Sequence, residues 1–183
     1  MIQKLLLAAT LFISLNILAQ DDSKKWSVAL NYPLSDELNS TGIFDLGVKY
    51  RFVDFNFVRL GASLNGGLFL DESNDPSFDF NRQLYYIQPK VFGEFIIPGL
   101  KKLRPFAGIG YSRFTQRISG LLGSPQTTVE DGFGANLGLT YDFGKNWFIT
   151  AQYDYTNVKQ RGLDLNRFNT SIDLVKVGIG IRF

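Results

Sequence analysis

The chain has 183 residues, a formal charge of +2, and neither cysteine nor histidine. That length suits one domain. Without Cys there is no disulfide, thiolate nucleophile or lipidated N-terminal cysteine, and without His the usual general base and the commonest zinc ligand are gone; the scattered basic residues give no reason to propose nucleic acid.

The N-terminus reads as an export signal over residues 1–19. Lys4 supplies the positive region, residues 5–18 are mostly apolar, and Ala19 suits the position before a cut. The apolar run is too short and too terminal for a membrane span. Residues 20–183 then form the mature domain, in which no apolar run is long enough for a transmembrane helix.

The mature part reads as strands. The first, residues 25–32, sets Trp26, Val28, Leu30 and Tyr32 on one face and Ser27, Ala29 and Asn31 on the other. After a polar loop to residue 42, the second strand, 43–52, sets Phe44, Leu46, Val48, Tyr50 and Phe52 against Asp45, Gly47, Lys49 and Arg51. A tight connection is expected at 53–56. The third strand groups Val58, Leu60, Ala62, Leu64, Leu68 and Leu70 opposite Arg59, Gly61, Ser63, Asn65 and Gly67. Residues 71–83 read as a long acidic loop.

The fourth strand carries Tyr85, Ile87, Val91, Phe95 and Ile97 on one face and Tyr86, Gln88, Lys90 and Glu94 on the other. Pro89 lies inside it. Proline donates no ladder hydrogen bond, so a local irregularity is expected there. A short turn at 98–102 leads to the fifth strand, 103–115, and residues 116–130 read as a third long connection. The sixth strand alternates Phe133, Ala135, Leu137, Leu139, Tyr141 and Phe143 with Gly134, Asn136, Gly138, Thr140 and Asp142. A turn at 144–146 leads to the seventh, with Trp147, Ile149, Ala151, Tyr153 and Tyr155 opposite Thr150, Gln152 and Asp154. After a fourth long loop, 157–170, the closing strand alternates Val175, Val177, Ile179, Ile181 and Phe183 with Lys176, Gly178, Gly180 and Arg182.

Eight strands of roughly 9 to 11 residues, joined by alternating long and short connections, suit tilted membrane crossings. A soluble barrel would bury its apolar face and wet its polar one. Two features favour the bilayer. The polar face is rich in glycine, which suits a narrow lumen and would only weaken a solvated face. Aromatic residues gather at both ends of the apolar face, as interfacial girdles do. The expected fold is therefore all-β, an eight-stranded antiparallel up-and-down transmembrane barrel, closed by pairing its last strand with its first.

With its closing strand ending on an aromatic, the mature chain resembles the small eight-stranded outer-membrane proteins of the OmpX type and the barrel portion of OmpA, within the broad porin-like families. The resemblance implies location in the outer membrane, in contact with its lipid. It implies Phe183 as the signal read by the barrel-assembly machinery. The peptidoglycan-binding domain of OmpA is not expected here, nor is a plug ahead of the first strand.

Enzymes of similar fold, the lipid A palmitoyltransferases and deacylases and the larger omptin proteases, rely on histidine, so no catalytic role carries over. Glu94 and Asp154 are inward acids whose simplest reading is pairing with lumen Arg and Lys. The acidic loop with Asp71, Glu72, Asp75 and Asp79 lacks the spacing and glycine of an EF-hand. No enzyme activity, metal or cofactor is expected. Asp45, Lys49, Arg51, Arg59, Lys90, Glu94, Arg113, Asp154, Lys176 and Arg182 are expected to project inward, with Lys49 across from Arg59 and Arg59 beside Glu94 as a charge cluster. The leading function is structural, with long outer loops for an unidentified surface ligand. The alternatives are a passive narrow pore and a soluble carrier.

Overall fold

The computed structural model describes residues 24–34, 41–72, 81–119, 126–161 and 167–183. The export signal and the central parts of the four long connections lie outside these residues. The described chain forms β1 (Trp26–Leu34), β2 (Thr41–Asp54), β3 (Val58–Glu72), β4 (Asn81–Phe95), β5 (Leu103–Ser119), β6 (Gln126–Asp142), β7 (Trp147–Arg161) and β8 (Arg167–Arg182). Each strand pairs with the next, and β8 returns to β1, so the sheet closes on itself. The seam is antiparallel. It ends in a reciprocal pair: Trp26 N–H donates to Phe183 O at 2.8 Å, and Phe183 N–H to Trp26 O at 2.9 Å. Along the seam from Ser27 to Leu34 the backbone of β1 is thus paired with β8, as a bilayer requires of a spanning sheet.

Alternation sets the two faces. Leu30, Leu64, Val91, Leu137, Val177 and Ile179 stand exposed on the outer wall, while Asn31, Asn65, Gln88, Asn136, Gln152 and Lys176 are buried within. An exposed apolar wall of this extent marks a membrane surface. Outward aromatics mark both ends of that wall: Trp26, Phe52, Tyr141 and Trp147 near the short turns, and Tyr32, Phe44, Tyr85, Tyr153 and Tyr155 near the long connections.

Most strands outrun the expected 9 to 11 residues. β5 and β6 have 17 each, so residues 116–119 and 126–130, expected as loop, belong to the sheet. Their ladder continues to Ile118↔Gln126. Pairing needs only backbone partners. The bilayer, not the sheet, demands apolar side chains, so a barrel can extend past the apolar band on polar residues. The connection between β2 and β3 is shorter than expected and lies at residues 55–57, with Phe55 N–H donating to Val58 O at 2.9 Å.

Pro89 produces a gap rather than a bulge. The β4–β5 ladder runs from Ile87↔Arg113 directly to Lys90↔Gly110, keeping register across two unpaired positions. The register shifts fall instead in the β2–β3 pair, between Gly42 and Phe44 and between Arg51 and Val53. Gly99 and Gly144 carry φ of 85° and 83° in the short turns, a region that favours glycine.

Lumen glycines serve as floors for rings. A Cβ at Gly61, Gly67, Gly138 or Gly180 would come within 2.2–2.6 Å of the ring of Phe92, Tyr86, Phe106 or Phe148, respectively. Each aromatic therefore lies across a bare backbone on another strand. Toward the long connections the lumen is filled by an apolar cluster of Phe69, Leu84, Tyr86, Phe114, Val158, Ile172 and Leu174.

Candidate functional site

Below that apolar cluster the lumen holds two charge networks. The first is centred on Asp45 of β2, which is fully buried. Its Oδ1 accepts from Asn31 Nδ2 at 2.5 Å and Asn65 Nδ2 at 3.0 Å. Its Oδ2 accepts from Tyr86 OH at 2.7 Å and Lys176 Nζ at 2.9 Å. Lys176 also donates to Gln88 Oε1 at 2.9 Å and lies 2.8 Å from Asp154 Oδ2. Asp154 Oδ1 in turn accepts from Lys90 Nζ at 2.6 Å and Gln152 Nε2 at 2.7 Å. Gln88 Nε2 donates to Ser112 Oγ, which meets Thr156 Oγ1 at 3.1 Å. Two carboxylates face two ammonium groups, so this network is neutral.

The second network lies at the short-turn end. Glu94 accepts from Arg51 Nη2 at 2.8 Å and Arg104 Nη1 at 3.2 Å, with Arg182 Nη2 at 3.5 Å. Arg182 Nη1 donates to both oxygens of Asp142 at 3.0 Å, and Arg104 Nη2 lies 2.9 Å from Asp142 Oδ2. Arg51 also donates to Ser27 Oγ at 3.2 Å. Three guanidiniums face two carboxylates, a surplus of one positive charge. Lys49 adds another, with Nζ 3.5 Å from the centroid of the Phe106 ring and 5.4 Å from that of Phe92. The negative face of an aromatic ring attracts such a cation. Charges in a low-dielectric interior need partners of this kind, since an unpaired one is costly.

The residues expected to cluster are divided by the fold. Arg59 does stand across from Glu94 in the β3–β4 ladder. Its guanidinium turns instead to Asp54, with Nε 2.7 Å from Oδ2, a charge contact without hydrogen-bond alignment. Lys49 stands across from Ser63 rather than Arg59. The cause is the later turn, which moves the hairpin register by four residues. Arg113, expected inward, faces outward. It is exposed, between buried Ser112 and Phe114, and shares the outer wall with Ile109 and Tyr111. Phe183 takes the end of the outward row of β8 by alternation, yet it is only 8% exposed. Arg104 and Asp142, both in the second network, were absent from the expected lumen charges. Their parity with Gly108, Gly110 and Thr140 was the available signal.

Glu94 and Asp154 both have their oxygens engaged by cations. Among the described residues no group of acids is placed to hold a metal ion. Asp75 and Asp79 of the acidic loop lie outside them.

Residues 5–183 match the model of a family described as the outer membrane protein beta-barrel domain. Solved structures similar in fold include the following three. Ail, the attachment invasion locus protein of Yersinia pestis, in complex with the heparin analogue sucrose octasulfate, is 18% identical over 87% of this chain and 97% of its own, with a TM-score of 0.58. The N-terminal β-barrel domain of Pseudomonas aeruginosa OprF is 17% identical over 87% and 98%, with a TM-score of 0.59. Neisserial surface protein A is 21% identical over 87% and 95%, with a TM-score of 0.54. No curated protein matches the sequence.

Proposed function

The chain belongs to the outer membrane protein β-barrel domain family, and from that premise we propose that it is a closed, non-enzymatic barrel whose activity is carried on its outer loops. The observation that supports this reading is the filled lumen. An eight-stranded barrel is just wide enough to be packed by its own side chains. Here buried Phe106 and Phe148, two ion networks and the apolar cluster ending at Phe69 and Leu174 occupy it in sequence. A cross-section so occupied favours a scaffold over a conduit. The scaffold then holds four connections, at residues 35–40, 73–80, 120–125 and 162–166, at one end, together with the strand ends that extend past the apolar band, where they can meet an external ligand. Ail, with its bound heparin analogue, is a neighbour of this fold whose structure records a ligand.

The test is planar-bilayer recording of the refolded barrel together with a surface-binding assay. A closed scaffold gives no reproducible conductance steps. Trimming within residues 73–80 and 120–125, which lie between the strands, should leave the barrel folded and reduce surface binding. Reproducible anion-favouring steps would replace this reading with the passive pore, and binding unchanged by the trimming would remove the loops from it.

A further inference from the structure

The outer wall is not uniformly convex. A groove of about 770 Å³ crosses it from Ala62 on β3 to Tyr155 on β7. That volume lies within the range of roughly 300–1,000 Å³ typical of small-ligand sites. Its floor is low for a sequence reason. Ala62 and Ala135 are small, and Pro89 lies at the two-residue gap in the β4–β5 ladder. Its wall is high because Phe133 stands 77% exposed, braced edge-on by Tyr111 with ring centroids 5.4 Å apart. Ala62, Val91, Ile109, Ala135 and Tyr155 follow one another across the ladders, so the groove crosses the tilted strands and climbs through the apolar band from Ala62 to Tyr155 on the long-connection side. An apolar depression within this band meets hydrocarbon chains, not water.

The strand that forms its centre carries charge just above. Beyond Ile109 and Tyr111, the next outward positions of β5 toward the long connections include Arg113 and Arg117, both exposed. One carboxylate stands beside them, Asp131, across from Arg113 and hydrogen-bonded by the Tyr111 hydroxyl. Two cations against one held carboxylate leave a positive patch at the edge of the apolar band. Basic residues at a membrane interface attract anionic lipid headgroups.

We propose that this face is a binding site for a phosphate-bearing acylated lipid of the leaflet on the long-connection side. An acyl chain lies in the groove against Phe133 and Ala135, and the phosphate meets Arg113 and Arg117. The site is independent of the loops and of whether the lumen conducts.

Native mass spectrometry of the intact refolded barrel, titrated with phosphatidylglycerol or phosphatidylcholine, tests it. The wild type should retain phosphatidylglycerol in preference to phosphatidylcholine. R113Q/R117Q should lower phosphatidylglycerol retention by roughly fivefold for each arginine removed, and lower that of phosphatidylcholine, whose ammonium offsets its phosphate, by less. A135W, which fills the groove, should lower retention of both lipids. Heat-modifiable gel mobility reports folding of each variant, and A62F fills the opposite end of the groove should A135W fail to fold. Equal retention by wild type and both groove variants would overturn the proposal. So would an unchanged lipid preference in R113Q/R117Q. Two-chain species abolished by A135W would assign the face to a second copy instead and overturn it as well.

Discussion

Replacing Glu94 with Gln tests how the lumen is held together. The side chain is 1% exposed and lies among Arg51, Arg104 and Arg182. Glu94→Gln keeps its shape but leaves three guanidiniums facing Asp142 alone, with Lys49 nearby. Removing one partner of a buried charge cluster costs about 3–5 kcal/mol, because the remaining charges lose their compensation. Urea unfolding of the barrel in lipid vesicles, followed by the fluorescence of Trp26 and Trp147, measures the loss. Arg51→Gln should also destabilise. The double variant should recover part of the combined loss, with a coupling of about 0.5–3 kcal/mol. Arg59 supplies the control. Its pair with Asp54 has side chains 22% and 50% exposed, and such exposed pairs contribute about 0–1 kcal/mol. Arg59→Gln should therefore be mild, and its coupling with Glu94→Gln, though the two stand across from each other in the ladder, should be smaller than that of Arg51→Gln. Additivity with Arg51 and coupling with Arg59 would refute the observed pairing and restore the one expected from sequence.

Leu137 lies outward midway between Phe133 and Tyr141. Leu137→Arg should cost about 2–4 kcal/mol in vesicles, the cost of Arg at the bilayer midplane, and a harmless substitution would contradict the face assignment. Gly138→Ala places a methyl group against the Phe106 ring and the Ala151 carbonyl; a lower urea midpoint is expected, and an unchanged one would count against the ring-on-glycine packing. Phe183→Ala should impair insertion in cells more than it lowers the stability of a barrel already folded in detergent. Normal insertion of that variant would remove Phe183 as an assembly signal.

The parity of nearly every strand was legible because the bilayer enforces it. A membrane barrel must put Val175, Val177, Ile179 and Ile181 on one side and Lys176 and Arg182 on the other, so two-residue alternation is written plainly. Strand ends were less legible. Arg117 and Thr127 pair as well as Ile109 and Ala135 do, although only the latter pair carries an apolar signature. The charge partners were least legible, because they depend on the place of one turn. With the β2–β3 turn at residues 55–57, Arg51 comes across from Gly61, and Arg59 comes across from Asp54. Glu94 is then met by Arg51 from β2 and by Arg104 and Arg182 from β5 and β8. The arginines of β5 and β8 lie far apart along the chain, and no local pattern links them. The apolar cluster around Phe69 and Phe114 was hidden for another reason. A lumen read as polar throughout leaves no place for inward phenylalanines near the long connections.

The two faces of the barrel carry different information. On the lipid face of β8, Val175, Val177 and Ile179 are nearly interchangeable, and all three are about equally exposed. A slip of β8 by one residue would exchange the faces and is excluded by the bilayer. A slip by two residues, about 7 Å along the strand, would cost the lipid face almost nothing. It would be severe inside. Lys176 would leave Asp45 on β2, Gln88 on β4 and Asp154 on β7 together, and Arg182 would leave Asp142 on β6. The bare backbone of Gly180 would no longer lie under Phe148, and Gly178 would no longer admit Asn31 beside it. The lumen charges take partners from other strands, and the rings of Phe92, Tyr86, Phe106 and Phe148 each need a glycine at one position of another. The lumen therefore specifies the register that the outer wall leaves open. Buried ion networks are weak contributors to net stability and are best attested as devices that fix registry. In this barrel that division assigns membrane insertion to the outer face, and the choice of one closed structure to the charges and glycines within.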